Sequence, residues 1–119
     1  MIISKKDKEF FKNACNMHEY FHAIKNLICG DTTVQCSIRL DQYENNEPKR
    51  GIDSAAIYRL DNMVGYYIFA TYLPEINEHI VSELMESERL FDLIQTIYNN
   101  DNYESELDTF IQFVKSKYN

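Results

Sequence analysis

The first thirty residues constrain the fold more than any other part of the chain. Apolar side chains recur there at Phe10, Ala14, Met17, Phe21, Ile24 and Ile28, in alternating steps of four and three. That spacing keeps to one side of a helix with 3.6 residues per turn, so it predicts a long amphipathic helix with a core-facing stripe. Ser4 suits the cap position, and Asp7 three residues later completes a capping-box-like pair. Gly30 supplies the stop.

From Thr32 the period changes to two. Val34, Cys36, Ile38 and Leu40 alternate with Gln35, Ser37, Arg39 and Asp41, the pattern of a half-buried strand. Residues 44–53 have the composition of a loop. A second strand is expected at about Ala55–Leu60, then a hairpin turn at Asp61-Asn62. The third run, Met63–Leu73, is rich in β-branched and aromatic residues (Val64, Tyr66, Tyr67, Ile68, Phe69, Tyr72) and completes a three-stranded antiparallel meander.

Pro74 ends the sheet and is suited to open a helix. Ile76, Ile80, Val81, Leu84, Phe91, Ile94 and Tyr98 provide its apolar face, with a break near Ser87. Asp101 with Glu104 repeats the capping-box signature. Leu107, Phe110, Ile111 and Val114 form the inner face of a last helix. The expected order is α-β-β-β-α-α: a long N-terminal helix, a three-stranded antiparallel sheet and two C-terminal helices. With 119 residues, residues 1–119 form a single α+β domain around one core.

Several classes are disfavoured by composition. No run approaches the roughly 20 apolar residues of a membrane helix. The N-terminus has positive charge but no apolar segment after it, so no signal peptide is expected. Three cysteines, Cys15, Cys29 and Cys36, cannot all pair within one chain. With no export signal they point to a reducing compartment and a cytoplasmic protein. Three glycines at 30, 51 and 65 make no phosphate loop.

Charge is placed unevenly. Residues 1–60 carry nine Lys/Arg and eight Asp/Glu, whereas residues 61–119 carry three against eleven. The acidic stretch comprises Glu75, Glu78, Glu83, Glu86, Glu88, Asp92, Asp101, Glu104, Glu106 and Asp108, with Arg89 its one basic residue. Glu83, Glu86, Glu88 and Asp92 lack the lysine four residues on that usually balances a solvated helix. Such a field repels phosphates and attracts basic surfaces. Direct nucleic-acid binding is disfavoured, and these ten carboxylates are the candidate partner-binding residues.

One short motif carries sharper chemistry. His18-Glu19-Tyr20-Phe21-His22 fits H-E-x-x-H: two imidazoles four apart share a helix face and can bind one Zn²⁺, with the Glu as general base on a metal-bound water. Over these five residues the chain resembles the zincin metallopeptidases. That resemblance implies zinc on His18 and His22 and catalysis by Glu19. A third ligand would come from His79, with Glu78, Glu83 and Cys36 as other candidates. No third histidine closely follows the motif, and the expected sheet follows the helix where a zincin's precedes it. The order α-β-β-β-α is also similar in outline to the double-stranded-RNA-binding domain. That module needs basic residues where this chain has Pro74-Glu75-Ile76-Asn77-Glu78.

Abundant Asn, Ile, Lys and Tyr point to an AT-rich genome. The leading expectation is a small acidic protein-interaction module, needing no cofactor, of the kind phages and mobile elements encode to bind and inhibit a basic, nucleic-acid-binding host protein. Two alternatives stand beside it. One is a zinc-dependent metallohydrolase using the HEYFH motif. The other is a homodimeric regulatory module with the Tyr-rich strand Gly65–Leu73 as its interface.

Overall fold

The computed structural model describes residues 2–29 and 57–118, with side chains for 2–22 and 57–118. These residues form five helices: α1 (Lys5–Cys29), α2 (Ile57–Tyr72), α3 (Glu78–Met85), α4 (Glu88–Asn99) and α5 (Glu104–Tyr118). No strand occurs among them.

The expected α+β class and its sheet are therefore overturned. The first expected strand, Val34–Leu40, lies outside the described residues. The second, from Ile57 onward, the Asp61-Asn62 turn and nearly all of the third are one continuous helix, α2. The composition of Met63–Leu73 favours strands, but its burial follows a helical period. Val64 and Ile68 are fully buried four residues apart, and Gly65, Phe69 and Leu73 form the adjacent buried column. A strand would bury alternate residues; here the consecutive pairs Val64-Gly65 and Ile68-Phe69 are buried, and Tyr66, Ala70 and Thr71 are exposed. The β-propensity of such residues reflects packing more than an intrinsic backbone preference, and a helical environment overrides it. The outline likeness to the RNA-binding module falls with the sheet.

By contacts the chain divides into two compact units, Met1–Ala14 with Asp61–Asn119, and Cys15–Leu60. The first contains most of the described core. Ser4 caps α1 as its sequence suggests, accepting the Asp7 N–H at 3.1 Å. The buried residues of this turn are Ile3, Asp7, Phe11 and Ala14. The stripe thus runs through Phe11, with Phe10 half-buried beside it, and Met17 is 43% exposed. Ile24 and Ile28 lie outside the described side chains.

The last helix follows its expected face, whereas of the face expected across Ile76–Tyr98 only Leu84 and Ile94 are buried. Pro74 lies in a turn, and α3 starts only at Glu78, where the Asn77 side chain accepts the His79 N–H at 2.8 Å. Ser87 marks the break between α3 and α4: its hydroxyl donates to the Leu84 carbonyl at 2.6 Å and accepts the Leu90 N–H at 3.3 Å. Leu90, Leu93, Ile94 and Ile97 form the buried face of α4, and Phe91, expected on that face, is 53% exposed. On α5 the expected four, Leu107, Phe110, Ile111 and Val114, are all buried. Because α5 begins at Glu104, Asp101 precedes its cap position. Helix α3 packs on α4, and α4 on α5.

Gly65 shows how closely α2 approaches the α3–α4 corner. A Cβ there would lie 2.8 Å from the Met85 Sδ, 2.9 Å from its Cε and 3.2 Å from a Leu90 methyl. The Met85 tip can swing aside, whereas Leu90 is fully buried. Gly65→Ala should therefore be near neutral, since crowding offsets the roughly 1 kcal/mol gain in helix propensity. Gly65→Val adds two methyls with nowhere to go and should cost about 1–3 kcal/mol in urea denaturation. Equal stability of the Val variant and the wild type would refute the close approach.

Candidate functional site

The acidic residues are distributed over α3, α4, α5 and their connections. Glu75, Glu78, Glu83, Glu86, Glu88, Asp92, Asp101 and Glu106 are exposed; Glu104 and Asp108 are half-buried. Position relative to the helix ends distinguishes some of them. Glu78, Glu88, Glu104 and Glu106 lie in first turns, where the partial positive charge of unpaired N–H groups favours an anion. These four have a local structural explanation.

Glu83 does not. It stands in the last turn of α3, which has no basic residue, and the partial negative charge of the terminal carbonyls repels it. Glu86, at the C-terminal cap of α3, directly precedes Ser87, the cap of α4, so the two helix ends act on it in opposite senses. Arg89, the one cation in the acidic stretch, places its guanidinium 3.9 Å from the centre of the Phe113 ring, a cation–π contact that ties α4 to α5. On α5, by contrast, Lys115 and Lys117 occupy the last turn, as the dipole prefers.

The HEYFH residues lie on α1 as expected. The His18 and His22 rings meet edge to face with centroids 4.5 Å apart, so helical spacing does bring the two imidazoles together. His18 is half-buried, and Glu19 and His22 are exposed. His79 is exposed in the first turn of α3. Cys36 lies outside the described residues. Among the described residues, no group of three or more His, Cys, Asp or Glu is arranged to hold a metal ion. No helix among them is long and apolar enough to cross a membrane.

The expected Tyr-rich interface strand, Gly65–Leu73, is corrected by the same geometry. The segment is helical through Tyr72, and Gly65, Ile68, Phe69 and Leu73 are buried. It presents no strand edge.

One polar cluster escaped sequence reasoning. Asp7 is buried, and its carboxylate accepts the Tyr67 hydroxyl at 2.5 Å on one oxygen and the Tyr72 hydroxyl at 2.8 Å on the other. Burial alone would push this carboxyl up. The two tyrosine hydroxyls, Ser4 and the charge of Lys6 outweigh it and hold the group below its ordinary value. Tyr67 is pushed up, first by its bond to Asp7 and then by burial. Tyr72 is raised strongly, first by burial and then by the same carboxylate. Around them Phe10 stacks nearly parallel on Tyr67, and Phe11 meets Tyr67 and Tyr103 edge-on. Hydroxyls held this firmly protonated are donors, not bases. The cluster pins the first turn of α1 to the end of α2.

No known protein family, curated protein sequence or solved structure matches the chain.

Proposed function

We propose that this chain is a protein-binding module whose acidic helices dock on a basic surface of another protein. The observation that supports this reading best is Glu83, exposed in the last turn of α3 with no basic residue in that turn and with exposed Glu86 beside it at the helix end. The dipole of α3 opposes Glu83. A cationic partner relieves that repulsion, and the surrounding carboxylates steer its approach. Surfaces basic enough to respond occur on proteins that bind nucleic acid. A carboxylate array seated there occupies the place of phosphates, so binding by this chain inhibits such a partner.

The test is capture of partners from a lysate by the full chain, with identification, at low and high salt. A partner with a basic surface is expected, held less tightly as salt rises from about 0.05 to 0.5 M. The triple variant Glu83→Lys, Glu86→Lys, Asp92→Lys should lose it. Retention by that variant, or salt-independent capture, would sink the reading.

A further inference from the structure

We propose that the open groove between α2 and α3 receives the apolar face of a short basic amphipathic helix belonging to the partner. This rests on the function proposed above and specifies the form of its ligand.

The groove has a volume of about 450 Å³, within the roughly 300–1,000 Å³ of ligand sites. Phe69 and Leu73 of the α2 side contribute buried apolar lining, and Val81 of α3 adds a half-buried contribution. Tyr66 and Ala70, one helical turn apart on α2, are exposed along it. The apolar surface extends beyond the groove, because Met63 is 47% exposed three residues before Tyr66, itself 55% exposed. Positions 63, 66 and 70 share one face of α2, the i, i+3, i+7 spacing that an apposed helix matches with its own anchors.

Charge selects among occupants. Glu78 is the one charged residue lining the groove, and exposed Glu75 and Glu83 flank its α3 side in sequence. An apolar ligand would fill the space and leave Glu75 and Glu83 without a counter-charge. A phosphate-bearing ligand would be repelled. An occupant with lysines or arginines beside its apolar stripe answers both features. A strand is a poor candidate, because the described residues hold no sheet edge to extend. A second copy is disfavoured too, since it would bring another chain of net charge -7 against this rim.

The experiment titrates the isotopically labelled full chain with two synthetic peptides and follows backbone amide shifts. One is an amphipathic leucine–lysine helix of about 14 residues, roughly four turns. The other is a serine–lysine peptide of equal charge with no apolar face. The leucine–lysine peptide is expected to bind more tightly and to shift Tyr66, Ala70 and Val81. Ala70→Arg and, separately, Ser82→Arg change exposed positions along the groove and should each weaken that peptide by about tenfold or more. The added positive charge should weaken the salt-sensitive binding of the serine–lysine peptide too, but by a clearly smaller factor.

Equal affinity for the two peptides, or indifference to both arginine variants, overturns the groove. The acidic reading then stands alone, provided that the triple lysine variant abolishes binding. Failure of both peptides to bind overturns the groove and counts against the acidic reading as well. Shifts at the groove on concentrating the chain without peptide assign it to a second copy and overturn the proposal.

Discussion

Replacing Phe11 by alanine should lower stability by about 3–5 kcal/mol, the cost of emptying a large buried aromatic site. Phe11 is fully buried, and its ring meets Tyr67 and Tyr103 with centroids 5.8 and 5.5 Å away. Edge-to-face pairs of that geometry contribute about 0.5–1.5 kcal/mol beyond the area they bury. Domains of ordinary stability have about 5–15 kcal/mol in total, so the variant should lose a large part of its margin. In urea the midpoint should fall with the slope unchanged. Phe10→Ala, at the half-buried neighbouring position, should cost clearly less. If the two variants were equally stable, the stripe of α1 would be wrongly placed by one residue.

The second large effect is expected at Asp7. Asp7→Ala removes an ionised acceptor and leaves two part-buried hydroxyls without it, at a cost of about 2–4 kcal/mol. Tyr67→Phe and Tyr72→Phe should cost about 1–2 kcal/mol each. Their effects should not add to that of Asp7→Ala, since all three changes break the same bonds.

The pH dependence has a definite sign on each side. The folded Asp7 carboxyl lies below its ordinary value of 3.8. Its contribution is therefore full above that value and disappears as pH falls through the folded value. The tyrosines lie above their ordinary value of 10.0. Their contribution is full below 10 and disappears as pH rises through the higher folded values. At neutral pH all three contribute fully. The stability difference between wild type and the double Phe variant should shrink at both extremes; a difference independent of pH would contradict the cluster.

How much of this was legible depends on what each helix buries. Sequence and structure agree best on α5, at Leu107, Phe110, Ile111 and Val114, whereas on α4 the buried face is Leu90, Leu93, Ile94 and Ile97 and the expected Phe91 is exposed. The Ser4 cap and the Ser87 break were also visible. On α1 the buried column contains a carboxylate, Asp7, above Phe11 and Ala14. A charged residue at a core position reads as surface, which moved the expected stripe one residue to Phe10. On α2 the error was larger. Residues 63–73 have side chains that suit strands, and only their four-residue burial period identifies the helix. In a strand Tyr67 and Tyr72 lie on opposite faces, so only the helix lets both reach Asp7. Of the candidate sites, the pairing of His18 with His22 and the exposure of most of the carboxylates were legible. The distinction between the dipole-favoured carboxylates and the dipole-opposed Glu83 required the helix boundaries.

The joint at Ser87 has a mechanical consequence. Two residues separate α3 from α4, and their backbone N–H groups return to Glu83 and Leu84 while the serine hydroxyl bridges Leu84 and Leu90. Few torsions remain there to absorb a change of angle, so the two helices act as a single bent lever with a stiff elbow. The connection at residues 73–77, between α2 and α3, is longer and returns the Leu73 and Ile76 N–H groups to backbone carbonyls. Amide protection should accordingly be high at the elbow and lower at Glu75 and Asn77. Any widening that admits a ligand beside α2 would then carry α4 along with α3.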